Sequence, residues 1–446
     1  MTTAESGGVV IDSATAERAQ ASVAGALQQR GFGVGDRLGL CVPTSAAQLH
    51  VIGGALRSGI IPVIVNAQLL TPEREPIRRD ADVREWIDDP ARLHELLDGP
   101  SINLAPFPLA RPMHYTSGTT GRPKGVWSGV LDESNAVRLM AEEVDQWELA
   151  RDDVHLVCSP LQHSAPIRFA LNTLLVGGTV VLPGPFTVPR ALTAVAEHRV
   201  TSTFCSPAHL QRIDEADRLA ELGSLRLVAH AGAPCPDPLK RRAIDAIGIS
   251  RLWEFYGSTE GQFTVCSAAE WLERPGTVGR ARPGRQLEVD AEEAVWCHVP
   301  PWARWTYWGD PQRTAAAWRG DAFTVGDLGR LDAGGYLFLS GRRDDLIITG
   351  GVNVYPVEIE QALRELSGVE DVAVFGRSDD RWGQRVCAAI VGTTTAVAVE
   401  QFAAMRLAPY KRPKEIHLVD AIPREGLAKL RRQQLAADLG LEPLTD

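Results

Sequence analysis

From about Glu17 onward, apolar residues fall into two alternating patterns. The segments DRLGLCV (36–42), IPVIV (61–65), VHLVC (154–158), TVVL (179–182), TSTFC (201–205) and LRLVAH (225–230) are short apolar runs bounded by polar residues or glycine. Runs of that length predict buried strands. Between them the apolar residues recur at helical spacing, which predicts helices over 17–31 and 45–58 and in later intervals. Short buried strands alternating with helices predict an α/β layered fold with mostly parallel sheets. Ligands in such folds bind beyond the carboxyl ends of strands.

The pattern changes twice. Residues 295–341 are rich in Trp, Gly and Arg and include the meander-like GGYLFLSGR, which predicts a β-structured subdomain closing a large domain. The charged run RRDD then interrupts the pattern, and the remainder reads as strand, helix, strand, strand, helix, strand and helix. We therefore expect a large N-terminal domain over 1–343 and a small α+β domain over 344–446, with a hinge near Asp344.

Composition narrows the functional classes. The chain has 446 residues, 44% hydrophobic and 23% charged, as in globular proteins. The longest apolar run, near Phe169–Leu182, is interrupted by Asn172, Thr173 and two glycines and is too short to span a bilayer. No basic, apolar signal segment opens the sequence, so cytoplasmic residence is the default expectation. A net charge of −10 disfavours nucleic acid as a general partner. Seven scattered cysteines without a C-x-x-C pair argue against a disulfide framework or a cysteine zinc site. There are 41 arginines but only five lysines: Lys124, Lys240, Lys411, Lys414 and Lys429. Where arginine is the default cation, a lysine marks a place that needs a compact ammonium.

The strongest chemical signal is YTSGTTGRPKGV, Tyr115–Val126. Gly118, Gly121 and Gly125 permit close backbone approach. The hydroxyls of Thr116, Ser117, Thr119 and Thr120 can wrap phosphate oxygens, and Lys124 supplies a point charge for polyphosphate. The Walker pattern fails because Gly125, not Ser or Thr, follows Lys124. A second signal is WEFYGSTE, 253–260. Here Tyr256 can stack on a base, Thr259 can bond a phosphate, and Glu260 can hold Mg²⁺, a hard cation that prefers oxygen. Asp327 can accept two hydroxyls, as a ribose diol would offer. Each motif also has a plainer reading: a polar loop, a strand end with a cap, a turn aspartate. On the residues alone His163 in SPLQHSAP reads first as a helix-start residue, and HAGAPCP can be a simple strand-to-helix turn.

The first two motifs resemble the signatures of the adenylate-forming superfamily, acyl-CoA synthetase type, and the resemblance covers nearly the whole chain in the right motif order. It implies ATP, Mg²⁺ and CoA as cofactors and cosubstrates. A carboxylic acid would first become an acyl-adenylate, and the CoA thiol would then displace AMP after rotation of the small domain about Asp344. It places Gly232, Ala233 and Pro234 against the adenine, and Glu254, Phe255 and Tyr256 among the nucleotide-binding residues. Asp327 and Arg342 fall on the ribose or phosphates. His163 and Gly257 line the acyl pocket, and Gly350 and Gly351 form the pantetheine tunnel. Lys429 becomes the lysine that bridges carboxylate and α-phosphate; Thr259 and Glu260 complete the catalytic set. A glycine at 257 leaves room, implying a bulky apolar acid.

Three departures stand out. Val325 replaces the usual Thr, Gln384 replaces a Glu, and Ala428 replaces the Gly before the lysine. The N-terminal region is also short, around 1–15 and 84–108. Alternatives therefore stay open: thioesterification alone, of an acyl-adenylate supplied by a partner ligase, or loading of a carrier protein. A homodimer is also left open.

Overall fold

The structure is a computed structural model that describes residues 8–69, 71–116, 124–342, 345–349, 352–379, 383–407, 409–424 and 430–441. The chain divides into two compact units. One comprises Met1–Leu287 with Cys297–Phe323; the other comprises Glu288–Trp296 with Thr324–Asp446.

The first unit is built on two large sheets. In one, Thr179–Leu182, Val154–Val157, Ser202–Cys205, Leu227–His230 and Leu252–Gly257 run parallel in that spatial order. Val9–Asp12 closes one side antiparallel, and Gln262–Ser267 begins the other. The second sheet orders Thr306–Tyr307, Lys124–Trp127, Met113–Thr116, Ile61–Ile64, Arg37–Leu40 and Glu85–Ile87. The central strands are buried on both faces, which is why they read as unbroken apolar runs.

The helices begin where the sequence supplies caps. Asp12 accepts from the Thr15 N–H at 2.7 Å to start Ser13–Gln29. Ser45 does the same for Gln48 at 3.1 Å to start Ala46–Arg57. Such caps satisfy N–H groups that no helical carbonyl can reach. Both elements fall where the periodicity predicts.

Between Leu252–Gly257 and the helices Glu133–Trp147 and Ser164–Leu175 lies an aromatic core. Trp147, Phe169, Phe204 and Phe255 sit there with ring centroids 5.2–6.4 Å apart. Six of the seven cysteines are buried and all are free thiols, as small core residues would be.

The second unit contains the hairpin Asp327–Leu331 with Leu337–Arg342. It also holds a five-stranded sheet of Val352–Val354, Ile347–Thr349, Gly383–Gly392, Val369–Asp379 and Glu415–Leu418. Helices Pro356–Leu363 and Ala396–Arg406 pack on it through Ile359, Leu363, Val399 and Ala403. The alternation matches the pattern read from the sequence, with one additional short strand at Val352–Val354. Among the described residues no helix is long and apolar enough to cross a membrane.

Candidate functional site

The phosphate-loop motif joins two antiparallel strands of the second sheet. Thr116 is the Cα partner of Lys124, and Tyr115 of Gly125. A Cβ at Gly125 would fall 2.2 Å from the Met113 side chain, so close packing of this strand pair demands glycine there. Ser117, Gly118, Thr119, Thr120 and Gly121 lie outside the described residues, as does the side chain of Thr116.

Lys124 is drawn into the site by a residue that no motif announced. Tyr307 is the Cα partner of Val126 on the next strand, and the Trp308 N–H donates to the Gly125 carbonyl at 2.8 Å. The Tyr307 ring lies 5.0 Å from the Lys124 ammonium. Its hydroxyl donates to Glu260 Oε1 at 2.9 Å. One tyrosine thus links the lysine of the first motif to the carboxylate of the second.

Glu260 itself is 6% exposed, and Oε2 makes no hydrogen bond among the described residues. A buried carboxylate with one oxygen fixed and the other open suits a single ligand position on Mg²⁺, whose remaining positions go to water and phosphate. The residues therefore fit the ion; when bound, it neutralises phosphate charge. The half-buried Thr259 hydroxyl, one residue earlier, also has no partner among the described residues.

Gly232, Ala233 and Pro234 follow the carboxyl end of Leu227–His230 and precede the helix Asp237–Ile247. Gly232 has φ +95°, which a side chain would strain. The next strand over is Leu252–Gly257, with His230 opposite Glu254 in register, so both segments lie along one sheet end.

Along Leu252–Gly257 the side chains divide. Tyr256 is half-buried, its ring 4.9 Å from that of Phe263. Phe255 points into the aromatic core, so a nucleotide could meet only its backbone. Glu254 is buried on the helix Asp237–Ile247 side, where it pairs with Lys240, itself 2% exposed. Burial raises the Glu254 carboxyl above its usual range, and the Lys240 ammonium only partly offsets that. The same ammonium lies 4.8 Å from the Trp271 ring.

Gly257 has a second explanation. A Cβ there would come within 2.7 Å of the Gly261 carbonyl oxygen, so the turn back toward Gln262 by itself accounts for glycine. His163 is the N-cap residue of Ser164–Leu175, yet its side chain makes no capping bond. It is half-buried, and burial pushes its imidazole down to about 4, so it is neutral at physiological pH. That fits a wall residue and not a proton carrier.

In the second unit, Asp327 and Arg342 are direct Cα partners across the hairpin. The two candidates for the ribose thus face each other from adjacent strands. Asp327 is 6% exposed; the Arg342 side chain is not described. The Thr324 hydroxyl accepts from the Gly326 N–H at 3.2 Å, so the threonine just before Val325 braces this turn. Gln384 Oε1 accepts from the Ile348 N–H at 2.7 Å. Asp344, Gly350, Gly351, Ala428 and Lys429 lie outside the described residues. Arg432 Nη2 donates to both Glu360 carboxylate oxygens, at 2.7 and 2.8 Å, and Nη1 reaches Asp345 at 3.2 Å. This ties the segment after Lys429 to the residue after Asp344.

The chain matches the model of the "AMP-binding enzyme" family over residues 14–103 and 112–299, and that of the "AMP-binding enzyme C-terminal domain" over 358–429. It is 31% identical to a feruloyl-CoA synthase of an Amycolatopsis species, covering 97% of this chain and 95% of that one. It is 29% identical to a long-chain-fatty-acid–CoA ligase of Mycobacterium tuberculosis, covering 91% and 88%. A solved structure of o-succinylbenzoate coenzyme A synthetase (MenE) from Bacillus subtilis, in complex with ATP and magnesium ion, superposes with a TM-score of 0.82. It is 25% identical, covering 95% of this chain and 94% of that one. The chain belongs to the AMP-binding enzyme family, and is an AMP-forming acid–CoA ligase of the adenylate-forming superfamily.

Proposed function

We propose that this ligase runs both half-reactions on a bulky carboxylic acid in the cytoplasm, forming the acyl-adenylate and passing the acyl group to CoA. The observation that carries this reading is the Lys124–Tyr307–Glu260 chain. It supports giving Lys124 to the departing pyrophosphate and Glu260 to the metal on one scaffold, an arrangement only the adenylation step needs. Thr259 offers its hydroxyl to the α-phosphate, Asp327 and Arg342 take the ribose, and Lys429 bridges the two reacting groups. The acid's body lies along His163 and the turn at Gly257, with rotation of the small domain about Asp344 bringing Gly350 and Gly351 to the thiol. A ring or long apolar chain is consistent with the acids named for the feruloyl and fatty-acid relatives.

The test supplies a panel of aromatic, alicyclic and aliphatic acids with ATP, Mg²⁺ and CoA, and measures AMP and acyl-CoA together. Stoichiometric AMP and thioester from a bulky acid is the expected result. Thioester from preformed acyl-adenylate but never from free acid would overturn it, and would favour the reading in which a partner ligase adenylates. A product formed only on a carrier protein would point to the carrier-loading alternative.

A further inference from the structure

Around the acyl end of the site the charges do not balance. Glu143 Oε1 accepts from Arg168 at 2.7 Å, from Arg282 at 3.0 Å and from Gln262 Nε2 at 2.7 Å. Glu142 is taken by a two-bond fork from Arg285 at 2.8 Å and by Trp302 Nε1 at 2.7 Å. Arg111 joins none of the ion pairs among the described residues, and its one hydrogen bond is a weak 3.4 Å contact to the Glu260 carbonyl. Four guanidiniums thus face two carboxylates. Arginine does not deprotonate to escape the cost of burial. His114 and His163 nearby add no charge, because burial holds them down at about 3 and about 4.

The surplus is placed where an acid's far end would lie. Arg168 stands five residues into the helix that His163 begins, over the Phe255 ring at 5.7 Å. Gln262 is the Cα partner of Gly257. Arg111 touches the backbone of Glu260 and precedes the strand Met113–Thr116 that leads to the phosphate loop. Neither of the two end arginines is sealed: Arg111 is half-buried, and the Arg168 side chain is 21% accessible. Arg168 Nε is a buried donor without a partner among the described residues. An uncompensated guanidinium that retains access is matched by an anion, since leaving buried charge unpaired is costly.

We propose that the substrate is a dianionic acid, in which one carboxylate is activated and a second oxyanion, at the far end of an apolar body, is seated by Arg111 and Arg168. This rests on the ligase reading and refines it, because a purely apolar acid would leave the Arg111 guanidinium desolvated without a counterion and Arg168 Nε without an acceptor.

The test compares matched acids that differ only at the far end: suberic acid against its monomethyl ester, and 4-carboxyphenylacetic acid against phenylacetic acid. Sulfonate analogues of the same length separate a demand for carboxylate from a demand for any oxyanion. The readout is kcat/KM for acyl-CoA formation. We expect the dianion to exceed its neutral partner at least tenfold in one pair. In Arg111→Gln that ratio should collapse toward one, chiefly through KM; Arg168→Lys, which keeps the charge but loses the Nε donor, should lower it less. Neutral-ended acids working as well as dianions in the wild type would overturn this proposal while leaving the ligase reading intact. No turnover with any acid would instead count against the ligase reading. An undiminished ratio in a folded Arg111→Gln protein would remove Arg111 from the subsite.

Discussion

Replacing Tyr307 with phenylalanine isolates one hydroxyl. The ring remains, so its contact with the Lys124 ammonium at 5.0 Å is kept, a contribution of about 0.5–2 kcal/mol. What is lost is the 2.9 Å bond to Glu260 Oε1. Donor and acceptor residues are each 6% exposed, so water cannot readily replace it. A hydrogen bond to a charged group contributes about 1.5–3 kcal/mol. If that energy holds the carboxylate in its metal-facing orientation, the adenylation barrier rises by the same amount. That corresponds to a rate loss of roughly 10- to 150-fold. The assay is ATP–pyrophosphate exchange across a magnesium titration, paired with thioester formation from preformed acyl-adenylate. Exchange should fall within that range and saturate at higher magnesium, while the second half-reaction loses much less. Exchange at the wild-type rate in a folded variant would refute the reasoning, as would equal loss in both halves.

Arg432→Gln removes the paired bonds to Glu360 and the contact to Asp345; pyrophosphate exchange should fall by about tenfold with the loss of roughly 1.4 kcal/mol of positioning, and unchanged exchange would show that Lys429 needs no such anchor. Lys240→Met leaves the Glu254 carboxyl buried and unpaired, so stability should drop by about 3–5 kcal/mol in urea unfolding, and Lys240→Met with Glu254→Leu should recover much of it. Stability should also fall as pH is lowered from about 6.5. His114 and His155 are held at about 3, and His163 and His209 at about 4, all by burial. Unfolded histidines take up protons near 6.5, so each adds a loss of up to about 1.4 kcal/mol per pH unit below that. A urea midpoint that stays flat from pH 7 to 5 would contradict the assignment. The Glu143 carboxyl acts in a lower window: burial would raise it, but Arg168 and Arg282 outweigh burial and hold it at about 2.

Local signals and distant ones were not equally legible in the sequence. Strands such as Thr179–Leu182 and helices such as Ala46–Arg57 declare themselves, because an apolar run or a capped 3.6-residue period is local information. A contiguous motif such as Thr259 beside Glu260 stands out in the sequence for the same reason, although the partner of Glu260, Tyr307, does not. Tyr307 was not, because its importance comes from the register that sets it against Val126 across more than half the first unit. The scarcity of lysine flagged Lys240 in principle, but its partner Glu254 lies on a strand 14 residues away that only the folded helix–sheet packing brings near. Gly257 shows the opposite hazard. Its side-chain absence was legible and suggested pocket volume, yet the turn to Gly261 also accounts for it. The arginines proposed for the acyl end were invisible as a group, since Arg111, Arg168 and the pair Arg282 and Arg285 belong to three separate segments and arginine is everywhere in this chain.

The sealing of Lys240 has a practical corollary. In most proteins an amine-directed reagent marks dozens of sites and its pattern says little. Here the sequence offers four lysines besides Lys240, and two of them, Lys124 and Lys429, stand in the nucleotide motifs. Acylation of this chain, followed by mass with and without ATP, would therefore report on the nucleotide motifs against a lysine background of only Lys411 and Lys414.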